Sequence, residues 1–283
     1  MATENNIYGY SPSIPAAAIF IVLFGISTAY HFYQLIKARA LYFIPFVIGG
    51  IFQIFGYIFR ILGHDNTDSV PLYALQTVLI LLAPALYAAS IYMVLGRLIV
   101  YLAAEQHSLV RVNWMTKIFV TGDVISFLMQ CGGGGLMSSD DRSTVKVGET
   151  ITIIGLAVQI VFFGFFIITA VVFHIRINKY PTVMSTETKG HWRGNITARN
   201  WVTLLLAMYV VSVLILVRSI FRMIEFIDGY GGYIMSHEVF IYIFDAVLMV
   251  VVMAILNFWH PSFVIRDGKG SAVRGNFEQV PLR

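Results

Sequence analysis

Charge is what this sequence has least of. Of its 283 residues, 19 are Lys or Arg and 15 are Asp or Glu, together 12%, where a soluble domain carries about 25%. With 58% hydrophobic residues and a mean hydropathy of +0.78, the chain reads as an all-α polytopic membrane protein. Cysteine is nearly absent. The single Cys131 excludes an intrachain disulfide and any paired Cys spacing for structural zinc. The first 15 residues hold no Lys or Arg and one acid, Glu4. The basic n-region of a cleavable signal peptide is therefore missing, and the first apolar segment is expected to stay in the mature protein. The chain also lacks a soluble domain, a low-complexity tract, a clear internal repeat and an ATP-binding motif. Its pI near 9.1 does not point to nucleic acid, because the basic residues gather in short loops beside apolar segments.

The apolar residues come in blocks of about 20, the length a helix needs to cross about 30 Å of hydrocarbon. Seven spans are predicted, at 15–36, 41–62, 72–95, 114–137, 148–175, 202–224 and 238–259. The basic loops fall on one side: Lys37 and Arg39; Arg97, Arg111 and Lys117; Arg176 through Arg199; and Arg266 through Arg283. The other side has Asp65, Asp68, Asp140 and Asp141 with only Arg142 and Lys146. The positive-inside rule then predicts an N-terminus outside and a C-terminus inside. The sequon Asn195-Ile196-Thr197 falls on the cytosolic side and is expected to carry no glycan. Residues 1–266 form the membrane domain in this reading, and 267–283, with three glycines among charges, a flexible cytosolic tail.

A few charges sit inside the spans, where they are costly enough to mark a functional site. In the sixth span Arg218, Arg222 and Glu225 lie at i, i+4 and i+7, one polar stripe on one helix face. Glu238, Tyr242 and Asp245 repeat that spacing in the seventh, and Gln53, Tyr57 and Arg60 share a face of the second. The fourth span has Asp123 and Gln130, seven apart, with Ser126 between them. At 1.5 Å per residue Arg218 stands about 24 Å from its span's inner end, and Asp245 about 10 Å deeper than Glu238. These groups are expected to meet in one outward-side polar cavity with Asp123 and Asp245 at its floor. The competing reading makes them interhelical ion pairs and snorkelling arginines that hold the bundle together. The cavity is preferred because Asp123 and Asp245 are too short to snorkel from mid-membrane.

Other features carry less. Four consecutive glycines, Gly132 to Gly135, predict a broken or tightly packed end to the fourth helix, and the Gly229 to Gly232 loop is either a tight connection or a lid. Pro45 and Pro84 are expected to kink their helices. A zinc site of His64, His237 and a carboxylate is the one metal option. The His-x-x-x-His pair of seven-helix membrane hydrolases is missing, and no metal or cofactor is expected. No NPxxY-like signature or acid-Arg-Tyr triplet supports a G-protein-coupled receptor.

Five stretches together resemble the fungal RTA-like family, also called the lipid-translocating exporters: Tyr8-Gly9-Tyr10-Ser11-Pro12-Ser13; Gln130-Cys131-Gly132-Gly133-Gly134; Arg218 through Arg222 to Glu225; Glu238 through Tyr242 to Asp245; and His260-Pro261. The resemblance covers nearly the whole chain. It implies a seven-helix protein of the fungal plasma membrane or an internal membrane. Members are associated with release or flipping of sphingoid bases, with resistance to toxic amphiphiles and sterol analogues, and in one branch with porphyrin or haem uptake. It brings no established catalytic residue.

The reading adopted is a binder or translocator of an amphiphile. Glu225, Glu238, Asp245 and Asp123 are expected to meet an ammonium. Arg218 and Arg222 either restrain those carboxylates or bind an anionic group, and Tyr57, Tyr242 and Tyr87 offer hydroxyls and rings. Movement then follows a lipid gradient, couples to protonation of Asp123 or Asp245, or depends on a partner. An intramembrane lipid-modifying enzyme and a seven-helix sensor remain the alternatives, with porphyrin as another ligand class.

Overall fold

The structure, a computed structural model, describes residues 12–67, 69–137, 139, 141–188, 200–229, 232–234 and 237–265, with the backbone alone at 187–188. The sequon at Asn195, the tail 267–283 and the residues Tyr8 to Ser11 lie outside the described residues.

Every regular element among the described residues is helical. Helix α1 spans Ile14–Ala38, and a 3-10 turn, Leu41–Phe43, leads into α2, Ile44–Asp65. Helices α3, Val70–Tyr101, α4, Val112–Leu136, and α5, Arg142–Lys179, follow; a short α6, Val183–Thr188, precedes α7, Trp201–Asp228. The last run comprises α8, Glu238–Ile241, a π turn, Tyr242–Val247, and α9, Leu248–Phe258. Six helical stretches are long and apolar enough to cross a bilayer: Ile14–Ala38, Leu41–Asp65, Val70–Tyr101, Arg142–Lys179, Trp201–Asp228 and Glu238–Phe263. Helix α4 matches α1 in length at 25 residues, but Lys117, Asp123 and four glycines dilute its apolar character.

Local chemistry sets the helix starts. A proline occupies the first turn of each of α1, α2 and α3, where its missing N–H has no intrahelical partner to lose. Pro45 therefore begins α2 and does not kink it. Asn200 caps α7, accepting from the Thr203 N–H at 2.9 Å while Thr203 Oγ1 accepts back from the Asn200 N–H, a reciprocal capping box. Asp141 caps α5; the Ser143 and Thr144 hydroxyls, and then their backbone amides, hold its carboxyl down at about 2. At the far end of α7, Gly229 takes φ 77°, a left-handed value that favours glycine. Gly232 N–H then donates to Gly229 O at 3.0 Å, and Ile234 N–H to Asp228 Oδ2 at 3.1 Å. The described part of that loop is thus a tight connection.

Helix α3 is the most enclosed of the apolar helices and α1 the least. Helix α2 packs on α1 and α3, α4 on α3 and α5, and α7 on α3, α5 and α9. Glycines allow the closest approaches. A Cβ on Gly49 would stand 2.7 Å from the Tyr87 ring and 2.9 Å from Ala83 O, and one on Gly56 2.6 Å from Ile80 Cγ1. This is the small-residue contact by which helices associate in lipid, where no hydrophobic force drives them together. Large apolar side chains such as Ile26, Leu128, Val161 and Ile175 stay exposed on the outside, as a lipid-facing belt must.

The glycine run does not break α4. The helix continues through Gly132 to Gly135 to Leu136, and only Gly133 is buried against its neighbour.

Candidate functional site

Helix α7 supplies the first half of the site. Arg218, Arg222 and Glu225, on one stripe, are 1%, 5% and 3% exposed. Arg218 forks onto Asp245 of the π turn: Nε to Oδ1 at 2.7 Å and Nη2 to Oδ2 at 3.3 Å, with Nη2 also donating to Ile80 O on α3 at 3.0 Å. Such bidentate contact is the strong form of an arginine–carboxylate pair. Arg222 Nη1 stands 2.7 Å from Glu225 Oε2 and 3.9 Å from Asp245 Oδ2. Glu225 Oε2 is thus ion-paired with Arg222 without a regular hydrogen bond, and Arg222 Nε has no hydrogen-bond partner.

The second half lies at the start of the last run. Arg60 Nη2 donates to Glu238 Oε1 at 2.9 Å, Arg60 Nε to the Tyr242 hydroxyl at 3.2 Å, and that hydroxyl to Glu238 Oε1 at 3.1 Å. The Ser13 N–H reaches both Glu238 oxygens, at 2.9 and 3.0 Å. The preceding carbonyl, Pro12 O, accepts from His64 Nδ1 at 2.6 Å. The start of α1 is thereby tied to the end of α2 and to α8. Tyr57 stacks on Phe20, Phe24 and Tyr242 at 5.8, 5.7 and 6.1 Å between ring centroids. Gln53, one turn away on α2, is fully buried, and neither its amide oxygen nor its amide nitrogen has a hydrogen-bond partner.

Three cations, Arg60, Arg218 and Arg222, thus meet three carboxylates, Glu225, Glu238 and Asp245. The cluster is balanced, so a ligand cation must compete with an arginine for its carboxylate. Glu238 is the more accessible member, its side chain 16% exposed against 1% for Asp245.

Asp123 is not part of this cluster, contrary to the expectation of one shared floor. Helix α4 packs on α3 and α5, and Asp123 Oδ2 accepts from the Tyr92 hydroxyl of α3 at 2.9 Å while Oδ1 has no hydrogen-bond partner. Phe119, Phe163 and Phe166 surround that tyrosine. Gln130 turns to α5, donating to Gln159 Oε1 at 3.1 Å, and Ser126 donates to Gly122 O in its own helix. Asp123→Asn is expected to cost less than about 1 kcal/mol, because the amide oxygen still accepts from Tyr92. Tyr92→Phe, which removes that partner, is expected to cost about 1–3 kcal/mol. Thermal unfolding of the two variants tests the order, and a larger loss for Asp123→Asn would overturn it.

Sequence reasoning missed Ser13, Tyr92, Gln159 and the Ile80 carbonyl. Gln159, a lone amide in an apolar span, could have been flagged; a backbone N–H or carbonyl leaves no signal. His64 and His237 do not converge on a carboxylate: His237 Nδ1 donates to Tyr233 O at 2.8 Å. Among the described residues no group of three His, Cys, Asp or Glu side chains is placed to hold a metal ion.

Apolar membrane-long helices around a buried, balanced charge cluster define an all-helical integral membrane protein. Within that class, the chain belongs to the RTA1-like family: residues 46–268 match the family described as RTA1 like protein. It is 37% identical to protoporphyrin uptake protein 1 of Saccharomyces cerevisiae, over 87% of this chain and 89% of the relative. It is 36% identical to protein RTA1 of the same yeast, over 88% and 83%. To that organism's sphingoid long-chain base transporter RSB1 it is 27% identical, over 96% and 78%. No solved structure matches.

Proposed function

We propose that this protein binds an amphiphile with a polar or cationic head, such as a sphingoid base, a sterol-like compound or another lipid, and carries it across the membrane. In this reading α4 is a seventh span. The N-terminus lies outside and the C-terminus inside, and the charge cluster stands in the outer half of a fungal membrane, the plasma membrane foremost.

The observation that carries the reading is that buried polar groups in and beside the cluster are left without hydrogen-bond partners. Ion pairs that serve only to hold helices together should meet their hydrogen-bonding needs among themselves. Arg218 and Asp245 do so. Arg222 Nε and the Gln53 amide do not, and each offers a polar head a donor or an acceptor. The relative named as a sphingoid base transporter supports the lipid reading. Porphyrin is the second reading, supported by the relative named for protoporphyrin uptake, which is the more similar of the two.

The test is native mass spectrometry with lipid extraction on purified wild type, Glu225→Gln and Asp123→Asn. Wild type and Asp123→Asn are expected to retain a defined amphiphile or porphyrin, and Glu225→Gln to lose it by about tenfold, the effect of one charged hydrogen bond of roughly 1.4 kcal/mol. Bulk lipid alone on all three would remove the binding reading.

A further inference from the structure

A second set of unsatisfied polar atoms lies at the opposite end of the same seam. On α1, His31 and Gln34 are 0% and 6% exposed, and His260, just after α9, is 1% exposed. His31 Nδ1, Gln34 Oε1, Asn257 Oδ1 and His260 Nε2 are buried without a hydrogen-bond partner. The other atoms of these side chains are engaged. His31 Nε2 meets Met253 O at 3.1 Å, Gln34 Nε2 donates to Asn257 O at 2.9 Å, and Asn257 Nδ2 to Ser27 Oγ at 2.6 Å. The rings of His31 and His260 lie 6.0 Å apart between centroids.

The engaged atoms settle what the remaining ones offer. His31 must carry its proton on Nε2 to donate to a carbonyl, so Nδ1 presents a lone pair. His260 Nδ1 accepts from the Ser262 N–H at 3.3 Å, so its proton sits on Nε2. The group therefore presents three acceptors, His31 Nδ1, Gln34 Oε1 and Asn257 Oδ1, and one donor, His260 Nε2. Leaving such groups buried without partners is costly. We infer that His31, Gln34, Asn257 and His260 form a second head-group station, built for a donor-rich head carrying ammonium or hydroxyl groups. The inference rests on the translocation reading above.

Along α1, His31 stands 18 residues from Ser13, about 27 Å from the Glu238 edge of the charge cluster. Between the two stations the seam is shut. Thr28 and Met253 press on Gly50, where an added Cβ would stand 3.2 Å from Thr28 Cβ and 3.1 Å from Met253 Cε, and the Tyr87 hydroxyl donates to Met253 Sδ at 3.2 Å. Methionine is the side chain best able to swing aside in such a contact. The two stations also differ in chemistry. The first offers a cation carboxylates that it must share with arginines, whereas the second offers neutral acceptors beside one donor, which hold it less.

The experiment uses the full chain in phosphatidylcholine vesicles with a fluorescent long-chain amino alcohol as probe. It compares wild type with Gln34→Leu, Asn257→Leu and Gln34→Glu. Both leucine variants are expected to bind the probe as wild type does but to move it at least about tenfold more slowly, the loss of one or two hydrogen bonds. Gln34→Glu, which turns the station into a trap, is expected to bind the probe more tightly and also move it more slowly. Movement at the wild-type rate in all three variants overturns the station and leaves translocation standing. A wild type that neither binds nor moves the probe overturns both. If a leucine variant unfolds, Gln34→Glu decides alone, since a merely structural glutamine gives no tighter binding.

Discussion

Asp245→Asn is expected to destabilise the protein by about 3–5 kcal/mol, the cost of breaking a buried ion pair by removing one partner. Asp245 is 1% exposed and faces two guanidinium groups: Arg218, through a 2.7 Å contact at Nε, and Arg222 at 3.9 Å. Without the carboxylate, Arg218 keeps one carbonyl, Ile80 O, and one neutral amide in place of a charge. The paired change Asp245→Leu with Arg218→Met is expected to recover most of the loss, since apolar side chains of similar size often replace a buried pair at little cost. Glu238→Gln should cost less than Asp245→Asn, because the Glu238 side chain is 16% exposed against 1% for Asp245 and the new amide oxygen can still accept from Arg60. Thermal unfolding in one detergent, with proteolysis as a second readout, checks the series. Asp245→Asn melting with wild type would mean that the Arg218 fork does not hold these helices.

The charges of this site are readable in sequence because lipid leaves so few others. The spacing of Arg218, Arg222 and Glu225 correctly puts all three on one buried face, since α7 is regular from Trp201 to Asp228. The same spacing works less well for Glu238, Tyr242 and Asp245, whose helix widens to a π turn at Tyr242. Such turns often mark functional sites, but the residues Tyr242 to Val247 carry no pattern that announces one. Neighbours are harder still. Periodicity shows which face of α4 is polar but not which helices it meets, so Asp123 and Gln130 were expected at the wrong cluster. The count of spans shows the same limit: α4 is long enough, but Asp123, Lys117 and its glycines keep its composition short of the other six.

The glycine run gives the second large effect, because four residues with one propensity sit in two different surroundings. Gly133 faces α5 so closely that an added Cβ would stand 2.6 Å from Gly148 O and 2.9 Å from Thr152 N. Both are backbone atoms, which cannot rotate away as a side chain can. A Cβ on Gly148 would in turn stand 2.6 Å from Gly133 O, so the two helices touch main chain to main chain. Gly133→Val is expected to cost about 3 kcal/mol or more by overpacking. Gly132 and Gly135 have nothing within 4 Å of an added Cβ. Gly132→Ala and Gly135→Ala are therefore expected to stabilise by about 0.4–1 kcal/mol each, since alanine loses less conformational entropy in a helix. The opposite signs separate two causes that sequence alone cannot. If glycine served only to weaken the end of α4, all three substitutions would stabilise it, and a raised melting temperature for Gly133→Val would show that. A sharp loss at Gly133 beside gains at Gly132 and Gly135 would mean that the run is kept for one close contact, which sets how α4 seats on α5 and turns Asp123 toward Tyr92.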